Sequence, residues 1–154
     1  MEIFDETDKR ILSALQKDAR LNTKELAHKA GLTVTPTYER LKKIERSGVI
    51  KAYVTLLDRD MIGKTLVVFC NVSLQLHSKP LLSKFETAIN KLDEVMECYH
   101  VAGTYDYLLK VVTGDMKSYQ HFLTNKLAVI ENIANVHSSF VMTEMKYKTA
   151  YKID

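Results

Sequence analysis

Residues 33–51 combine short hydroxyl side chains with cationic ones at helical spacing. A helix that begins just after position 33 or 35 would bury Tyr38, Leu41 and Ile44 at i, i+3 spacing and expose the hydroxyls and cations on its other side. Such groups bind phosphate oxygens and base edges in the major groove of DNA. The expected DNA contacts are Thr33, Thr35, Pro36, Thr37, Arg40, Lys43 and Arg46, followed by Lys51 as a contact to the DNA backbone.

The excess positive charge lies in the same part of the chain. The net charge of the 154 residues is only +3, which by itself indicates no particular partner. Residues 1–59 contain 12 Lys and Arg against 9 Asp and Glu, whereas residues 60–154 contain 10 of each. Because a charged helix face is often merely solvated, a three-helix packing unit without a ligand stays an alternative to DNA binding.

A second polar group is the segment Gly103–Tyr107 (Gly-Thr-Tyr-Asp-Tyr), which lies between two apolar stretches. One interpretation is a simple turn, in which glycine supplies a positive φ and the aspartate bonds the local backbone. The other is a small polar pocket, in which free backbone N–H groups near Gly103 bind a carboxylate and Asp106 accepts from an ammonium group. The residues alone favour neither interpretation.

Other kinds of site have little support. The five histidines lack the short spacing of a zinc site, and no Gly-x-Ser-x-Gly or Walker loop occurs. Cys70 and Cys98 lie in apolar surroundings typical of buried free thiols. No secretory signal and no apolar run near the roughly 18 residues of a membrane span are visible. We therefore expect a cytoplasmic protein with no metal, cofactor or membrane partner.

Three short helices must position the first group of residues. Asp5 can cap a helix over residues 6–18, and Thr23 can cap a second helix that ends at Gly31. Pro36 suits the first turn of the third helix, where its missing N–H has no partner, and Ser47-Gly48 ends that helix. Three helices in about 45 residues form a helix-turn-helix arrangement.

The hydrophobic period changes after Ile50. A strand is predicted over residues 51–57, and a polar break at residues 58–60 follows. The later elements alternate between strands and helices in the order βαββαβ, which is the ferredoxin-like arrangement. The predicted strands are 65–76, 95–101, 107–113 and 136–147, and the predicted helices are 80–92 and 115–127.

The predicted sheet is apolar on both faces along much of its length. In Leu66–Cys70 and around Phe140 the apolar residues follow one another without alternation. Loops could cover the second face. The interpretation that we favour is a second copy of the chain on that face.

Motifs in both halves, in the same order, resemble the Lrp/AsnC (feast/famine) regulators. The DNA-binding half of that family is similar to residues 8–12, 19–20, 26–27, 31–33, 38–45 and 48–53. The ligand-sensing half is similar to residues 103–110, 115–119 and 141–146. One difference is Val34, where many members have proline.

The resemblance implies a transcription regulator that forms dimers through its βαββαβ domain and often assembles them into octamers. It also implies an amino-acid effector bound between dimers near Gly103, Thr104, Tyr105 and Asp106. Ser139 and Val141 of the last strand would then lie near the effector. The effector class comes from the resemblance alone.

The sequence thus predicts an α+β protein with a helix-turn-helix (winged-helix-like) domain over 1–50, a linker strand over 51–62 and a ferredoxin-like βαββαβ domain over 63–154. The function expected is sequence-specific, effector-responsive binding of double-stranded DNA by a homo-oligomer. One alternative is an enzyme subunit similar to siroheme decarboxylases, although no basic or histidine cluster for a tetrapyrrole occurs in 60–154. A ligand-sensing module without DNA contact would require a neutral or acidic third helix, which the cations at 40–46 contradict.

Overall fold

A computed structural model describes residues 4–153, which form two compact units. One unit contains the N-terminal residues through Leu56 together with the C-terminal segment from Lys146. The other unit is Leu57–Met145. The predicted boundaries at residues 50 and 62 stay predictions.

The first unit contains α1 (Glu6–Lys17), α2 (Thr23–Ala30) and α3 (Val34–Arg46). Side chains cap the first two helices. Asp5 accepts hydrogen bonds from the N–H groups of Thr7 and Asp8, which confirms the predicted cap. The cap of α2 is Asn22 rather than Thr23, because the Asn22 amide oxygen accepts from the N–H of Glu25 while the Glu25 carboxylate accepts from the N–H of Asn22.

The backbone at the helix ends accounts for the turns. Gly31 has a φ of 73°, the left-handed conformation that ends α2, as the sequence predicted. Gly48, with a φ of 76°, lies two residues after Arg46, the last residue of α3. The helix-turn-helix arrangement is therefore confirmed.

Apolar side chains from all three helices fill one core, centred on Ile11, Leu26 and Ile44. The C-terminal segment packs on the same core through Ile153. Two hydrogen bonds between the Gln16 side-chain amide and the backbone of Tyr151, at 2.7 and 3.1 Å, hold that segment on α1. Residues 151–153 are thus part of the helical unit.

The second unit is a four-stranded antiparallel sheet in the order β2-β3-β1-β4, with the split βαβ connections of the ferredoxin-like fold. Its elements are β1 (Leu66–Leu74), α4 (Lys79–Ile89), β2 (Val95–His100), β3 (Tyr107–Thr113), α5 (Met116–Phe122) and β4 (Ile133–Phe140). One π-helical turn, Leu123–Leu127, continues α5. The predicted βαββαβ fold is confirmed.

One predicted strand is absent, and the bounds of another differ from the prediction. Residues 51–57 form no strand, because no other segment of the described chain pairs with their backbone. The last strand ends at Phe140 instead of residue 147. Phe140 pairs with Val68, and the last backbone bond between the two strands runs from the N–H of Val141 to the carbonyl of Val67, one residue from the start of β1.

The two faces of the sheet differ. The buried core under α4 and α5 takes alternate residues of β1, including Val68, Cys70 and Val72. The opposite face takes the intervening residues and includes an ion pair between Glu97 and Lys110, at 2.9 Å. The charged pair belongs to β2 and β3, whereas on β1 the same face takes the apolar side chains of Val67 and Phe69, as predicted.

Candidate nucleic-acid interface and ligand-binding turn

The outward face of α3 is defined by side-chain exposure. Thr35, Lys43 and Arg46 are exposed, as predicted. Val34, Tyr38 and Glu39 are also exposed, and this part of the face was missed. We call the set Val34, Thr35, Tyr38, Glu39, Lys43 and Arg46 the outward face of α3.

The buried face of α3 differs by one residue from the prediction. Thr37 rather than Tyr38 faces the core together with Leu41 and Ile44. Both choices fit a helix, since residues at i, i+4 and i+7 share a face just as residues at i and i+3 do. Thr37 is fully buried, and its hydroxyl donates to the carbonyl of Thr33 at 2.8 Å. The prediction that Thr37 is exposed toward DNA is wrong.

The placement predicted for Arg40 is also wrong. Its guanidinium is directed toward the start of α1, where one nitrogen (Nη1) donates to Asp5 Oδ2 at 2.6 Å and to Asp8 Oδ1 at 2.8 Å. Only 35% of the Arg40 side chain is exposed, and only 5% of the Asp8 side chain. Arg40 therefore contacts α1 and is not part of the outward face.

A further polar group occupies the side of α3 near its end. Glu45 accepts from Lys42 Nζ at 3.0 Å and from the Tyr53 hydroxyl at 3.1 Å. Both hydrogen bonds lower the pKa of the Glu45 carboxyl, with the Lys42 bond the larger cause. Lys42 also lies over the ring of Tyr38, 5.7 Å from the ring centre. Lys42 was absent from the predicted contacts, although its position one residue before Lys43 could have identified it.

Three other predicted DNA contacts lie at the ends of α3. Thr33 is exposed at the N-cap, and its side chain makes no capping hydrogen bond, so its hydroxyl is available to a ligand. Pro36 is half-buried in the first turn, as predicted. Lys51 is exposed and lies beyond Arg46, the last residue of α3.

The turn Gly103–Asp106 is built around the carboxylate of Asp106. Its Oδ2 accepts from the N–H of Leu74 at 2.7 Å, and its Oδ1 lies 2.8 Å from His77 Nε2. The Leu74 bond is the largest cause that lowers the pKa of Asp106, followed by the contact with His77. The Asp106 backbone also bonds to Val72 and Val101. Asp106 thus connects the hairpin between β2 and β3 to β1 and to His77, which lies in the segment after β1.

The other residues of the turn make fewer hydrogen bonds than Asp106. Gly103 has a φ of 141°, which favours glycine, and within residues 4–153 the N–H groups of Gly103 and Thr104 donate no hydrogen bond. The ring of Tyr105 packs at 6.0 Å from the ring of His137 on β4. These groups are the ones free to bind a ligand.

Ser139 and Val141 lie farther along β4. Ser139 pairs with Phe69, and Val141 bonds to Val67, whereas Asp106 bonds to Val72. Three residues of β1 span about 10 Å. Ser139 and Val141 are therefore distant from Asp106 along the sheet, whereas Tyr105 of the turn contacts His137, two residues before Ser139.

Other site types have no support in the described part of the chain. Within residues 4–153, no three histidine, cysteine or acidic side chains come together in a group able to hold a metal ion. Cys70 is a buried free thiol, as predicted, whereas Cys98 is a free thiol that is only half-buried. No helix among these residues has the length and apolar character needed to cross a membrane.

The fold and the cationic outward face of α3 define a DNA-binding regulator with a helix-turn-helix unit and an α+β sheet unit. Residues 4–51 match the winged helix-turn-helix DNA-binding family, and residues 67–151 match the Lrp/AsnC ligand-binding domain. This chain belongs to the Lrp/AsnC family of transcription regulators, as its motifs predicted.

Named relatives agree with that assignment. The chain is 37% identical to the leucine-responsive regulatory protein of Escherichia coli over 143 residues, covering 93% of this chain and 87% of that protein. It is 37% identical to the Bkd operon transcriptional regulator of Pseudomonas aeruginosa, covering 97% and 98%. These relatives are transcription regulators, so the alternative of an enzyme subunit similar to siroheme decarboxylases is not supported.

Solved structures give the same result. A transcriptional regulator from Neisseria meningitidis in complex with L-Met is 32% identical, with a TM-score of 0.93, and the match covers 97% of this chain and 96% of that one. An AsnC family regulator from Agrobacterium tumefaciens is 38% identical, with a TM-score of 0.92 and 97% of both chains covered. The α+β architecture is therefore confirmed.

Proposed function

We propose that the outward face of α3 enters the major groove and that two copies of the chain read a DNA site with two-fold symmetry. The proposal rests on one observation, which is that the two ends of the outward face carry different types of residue. Its N-terminal part has Val34, Thr35 and Glu39, whereas its C-terminal part has Lys43 and Arg46. Recognition helices contact base edges with their N-terminal residues, and cations bind the phosphates.

Several predicted contacts keep the same roles in this proposal. The uncapped hydroxyl of Thr33 and the exposed ammonium of Lys51 are placed to bind the DNA backbone. Pro36 shapes the first turn without presenting a donor. Thr37 and Arg40 contribute through the fold of the unit instead of through DNA.

We propose further that an amino acid is the effector and that it binds at the turn Gly103–Asp106. The unengaged N–H groups of Gly103 and Thr104 suit a carboxylate, and the Tyr105 ring offers a flat apolar wall. Asp106 is held by Leu74 and His77, so an ammonium group would have to share this carboxylate with His77. The L-Met complex of the Neisseria meningitidis regulator supports an amino acid of moderate size.

Self-association completes the proposal. Ser139 and Val141 lie farther along β4 than His137, which the turn contacts through Tyr105, and a second copy would bring such residues to an effector shared between chains. Phe140 and Met142, which alternate with them along the chain, are exposed apolar residues as well. We therefore propose a homodimer that assembles further, up to an octamer, and that acts in the cytoplasm.

Selection of bound genomic fragments by the purified full-length chain tests this function. The enriched fragments should share two half-sites whose centres lie about one helical turn apart, roughly 34–36 Å, or a multiple of it. Adding single amino acids from the set of twenty should change the affinity for one or a few of them. Typical couplings of about 1–3 kcal/mol correspond to a change of roughly 5- to 150-fold.

Two further measurements separate the parts of the proposal. Light scattering at micromolar concentration should give an even multiple of the chain mass, and a monomer would contradict the assembly. Calorimetric titration that finds no binding of any amino acid would contradict the effector, while leaving the DNA-binding result intact.

A further inference from the structure

Arg40 joins the recognition helix α3 to the start of α1 through two carboxylates that already have another task. Asp5 and Asp8 are the two partners of the capping box of α1, in which each side chain accepts from the other's backbone N–H. One Arg40 nitrogen donates to both carboxylates, at 2.6 and 2.8 Å. The helix cap and the recognition helix therefore share a single ionic cluster.

The burial of Asp8 makes this cluster costly to break. Only 5% of the Asp8 side chain is exposed, and Arg40 is its only cationic partner within residues 4–153. A buried carboxylate without its cation keeps its desolvation penalty, so the guanidinium has little freedom to leave for another anion. Removing Arg40 would leave the middle of α3 without its ionic link to α1.

We propose that Arg40 is a positioning residue for DNA recognition, which fixes α3 against α1 so that the outward face reaches the base edges. This proposal rests on the contact of α3 with DNA described above. The role differs from that of Lys43 and Arg46, whose charges are exposed. Arg40 contributes geometry, whereas these two cations contribute direct attraction to phosphate.

The two possible roles of Arg40 give opposite expectations for Asp8. DNA is an anion, so removing a carboxylate from the DNA-binding unit by Asp8→Asn should strengthen DNA binding on electrostatic grounds alone. A positioning role requires the reverse for specific binding, because the asparagine removes the buried one of the two carboxylates that hold Arg40. The sign of the Asp8→Asn effect therefore distinguishes geometry from charge.

The test compares Arg40→Gln, Asp8→Asn and the double variant in the full-length chain, using an operator obtained by genomic selection and a scrambled duplex. We expect Arg40→Gln to lose roughly tenfold in operator affinity relative to scrambled DNA, with the salt slope unchanged. Asp8→Asn should lose less, because Asp5 still bonds Arg40 in that variant. The double variant should lose no more than Arg40→Gln, because the arginine change already removes both ion pairs. Glu6→Gln is the matched control, since Glu6 lies in the same turn of α1 and bonds Lys9 instead of Arg40.

Binding is measured well below the melting temperature of each variant, with circular dichroism to show that it is folded. Arg40→Lys replaces Arg40→Gln if the glutamine variant does not fold, and it should show a smaller loss of the same kind. Three results would overturn the proposal. The first is a salt slope of Arg40→Gln reduced by about 0.9, which marks a direct phosphate contact. The second is an operator affinity that rises in Asp8→Asn. The third is a lowered melting temperature of Arg40→Gln with an unchanged preference for the operator. Failure of the wild-type chain to bind any duplex would instead contradict the DNA-binding function itself.

Discussion

The outward face of α3 and the turn Gly103–Asp106 were both identified from polar residues in an otherwise apolar setting, but the structure uses them differently. Lys43 and Arg46 are exposed, and neither forms an ion pair in the described chain. The Asp106 carboxylate has both oxygens engaged, by the N–H of Leu74 and by His77. The face on α3 is available to a partner, whereas the centre of the turn is occupied by the fold.

This difference shows how a functional group can be told from a structural one of the same type. A charge that stays solvated costs little to keep and gains energy only when a partner arrives. A charge that is partly buried and bonded already stabilises the fold, so its removal changes stability before it changes binding. Arg40 illustrates the point within α3, since it is a cation of the expected type that serves the fold.

The largest effect should come from the double variant Lys43→Ala/Arg46→Ala. Each hydrogen bond from a cation to a phosphate is worth about 1.5–3 kcal/mol, so the affinity for DNA should fall by roughly 100-fold or more. Specific and non-specific sequences should weaken together, and the salt slope should fall by about 0.9 for each phosphate that is no longer neutralised. A gel-shift titration at several salt concentrations measures both quantities. Lys17→Ala, an exposed cation at the end of α1, is the control, and an unchanged slope in the double variant would place DNA on another surface.

The next effect separates the two roles of Asp106. Asp106→Ala leaves the N–H of Leu74 without its acceptor, which should lower the free energy of unfolding by about 1–3 kcal/mol. Asp106→Asn keeps an acceptor oxygen and should lose less. Urea unfolding of both variants measures the difference, with the exposed Asp93→Asn as the control. If both variants are as stable as the wild type, the carboxylate is free to serve a ligand.

The helical unit could be predicted from the sequence to a large extent. Asp5 and Gly31 act locally, through hydrogen bonds and a backbone conformation within a few residues, so their types were sufficient. The face of α3 was harder, because Tyr38 and Thr37 both keep a helical spacing with Leu41. Which of the two is buried depends on the neighbouring helices, and a one-residue error also gave the wrong direction for Arg40.

The sheet unit shows that the hydrophobic pattern of a segment does not by itself decide whether the segment forms a strand. β3 was predicted to the residue, because it pairs on both edges with strands that the pattern also detected. Residues 51–57 have the composition of a strand, but composition supplies no partner backbone. The same is true of residues 141–147, beyond the last pair of β1 and β4. The partners of Asp106 come from segments about 30 residues away, so no local motif could indicate them.

A smaller effect should appear at acid pH. The N–H of Leu74, and then His77, lower the pKa of Asp106 from its ordinary value of 3.8, so the folded chain holds this proton more weakly than the unfolded chain. The resulting stabilisation is complete above the unfolded pKa and is lost as the pH falls through the lower folded value. The stability difference between the wild type and Asp106→Asn should therefore shrink below about pH 4. Urea unfolding at pH 3 and pH 6 measures this change, and an equal difference at both pH values would contradict the role of the charge.

The smallest expected effect concerns Glu39, the one carboxylate on the outward face of α3. It is exposed and forms no hydrogen bond or ion pair within residues 4–153, so it should repel the phosphates when α3 enters the groove. Glu39→Gln should raise the affinity for non-specific DNA by at most about fivefold, since two charges 4 Å apart in water interact by about 1 kcal/mol. Glu131→Gln, an exposed carboxylate of the sheet unit, should change nothing. No change in Glu39→Gln would place this part of α3 away from the DNA. A gain on scrambled DNA with a loss on the operator would instead indicate that the carboxylate accepts a hydrogen bond from a base, as it can from the amino group of cytosine.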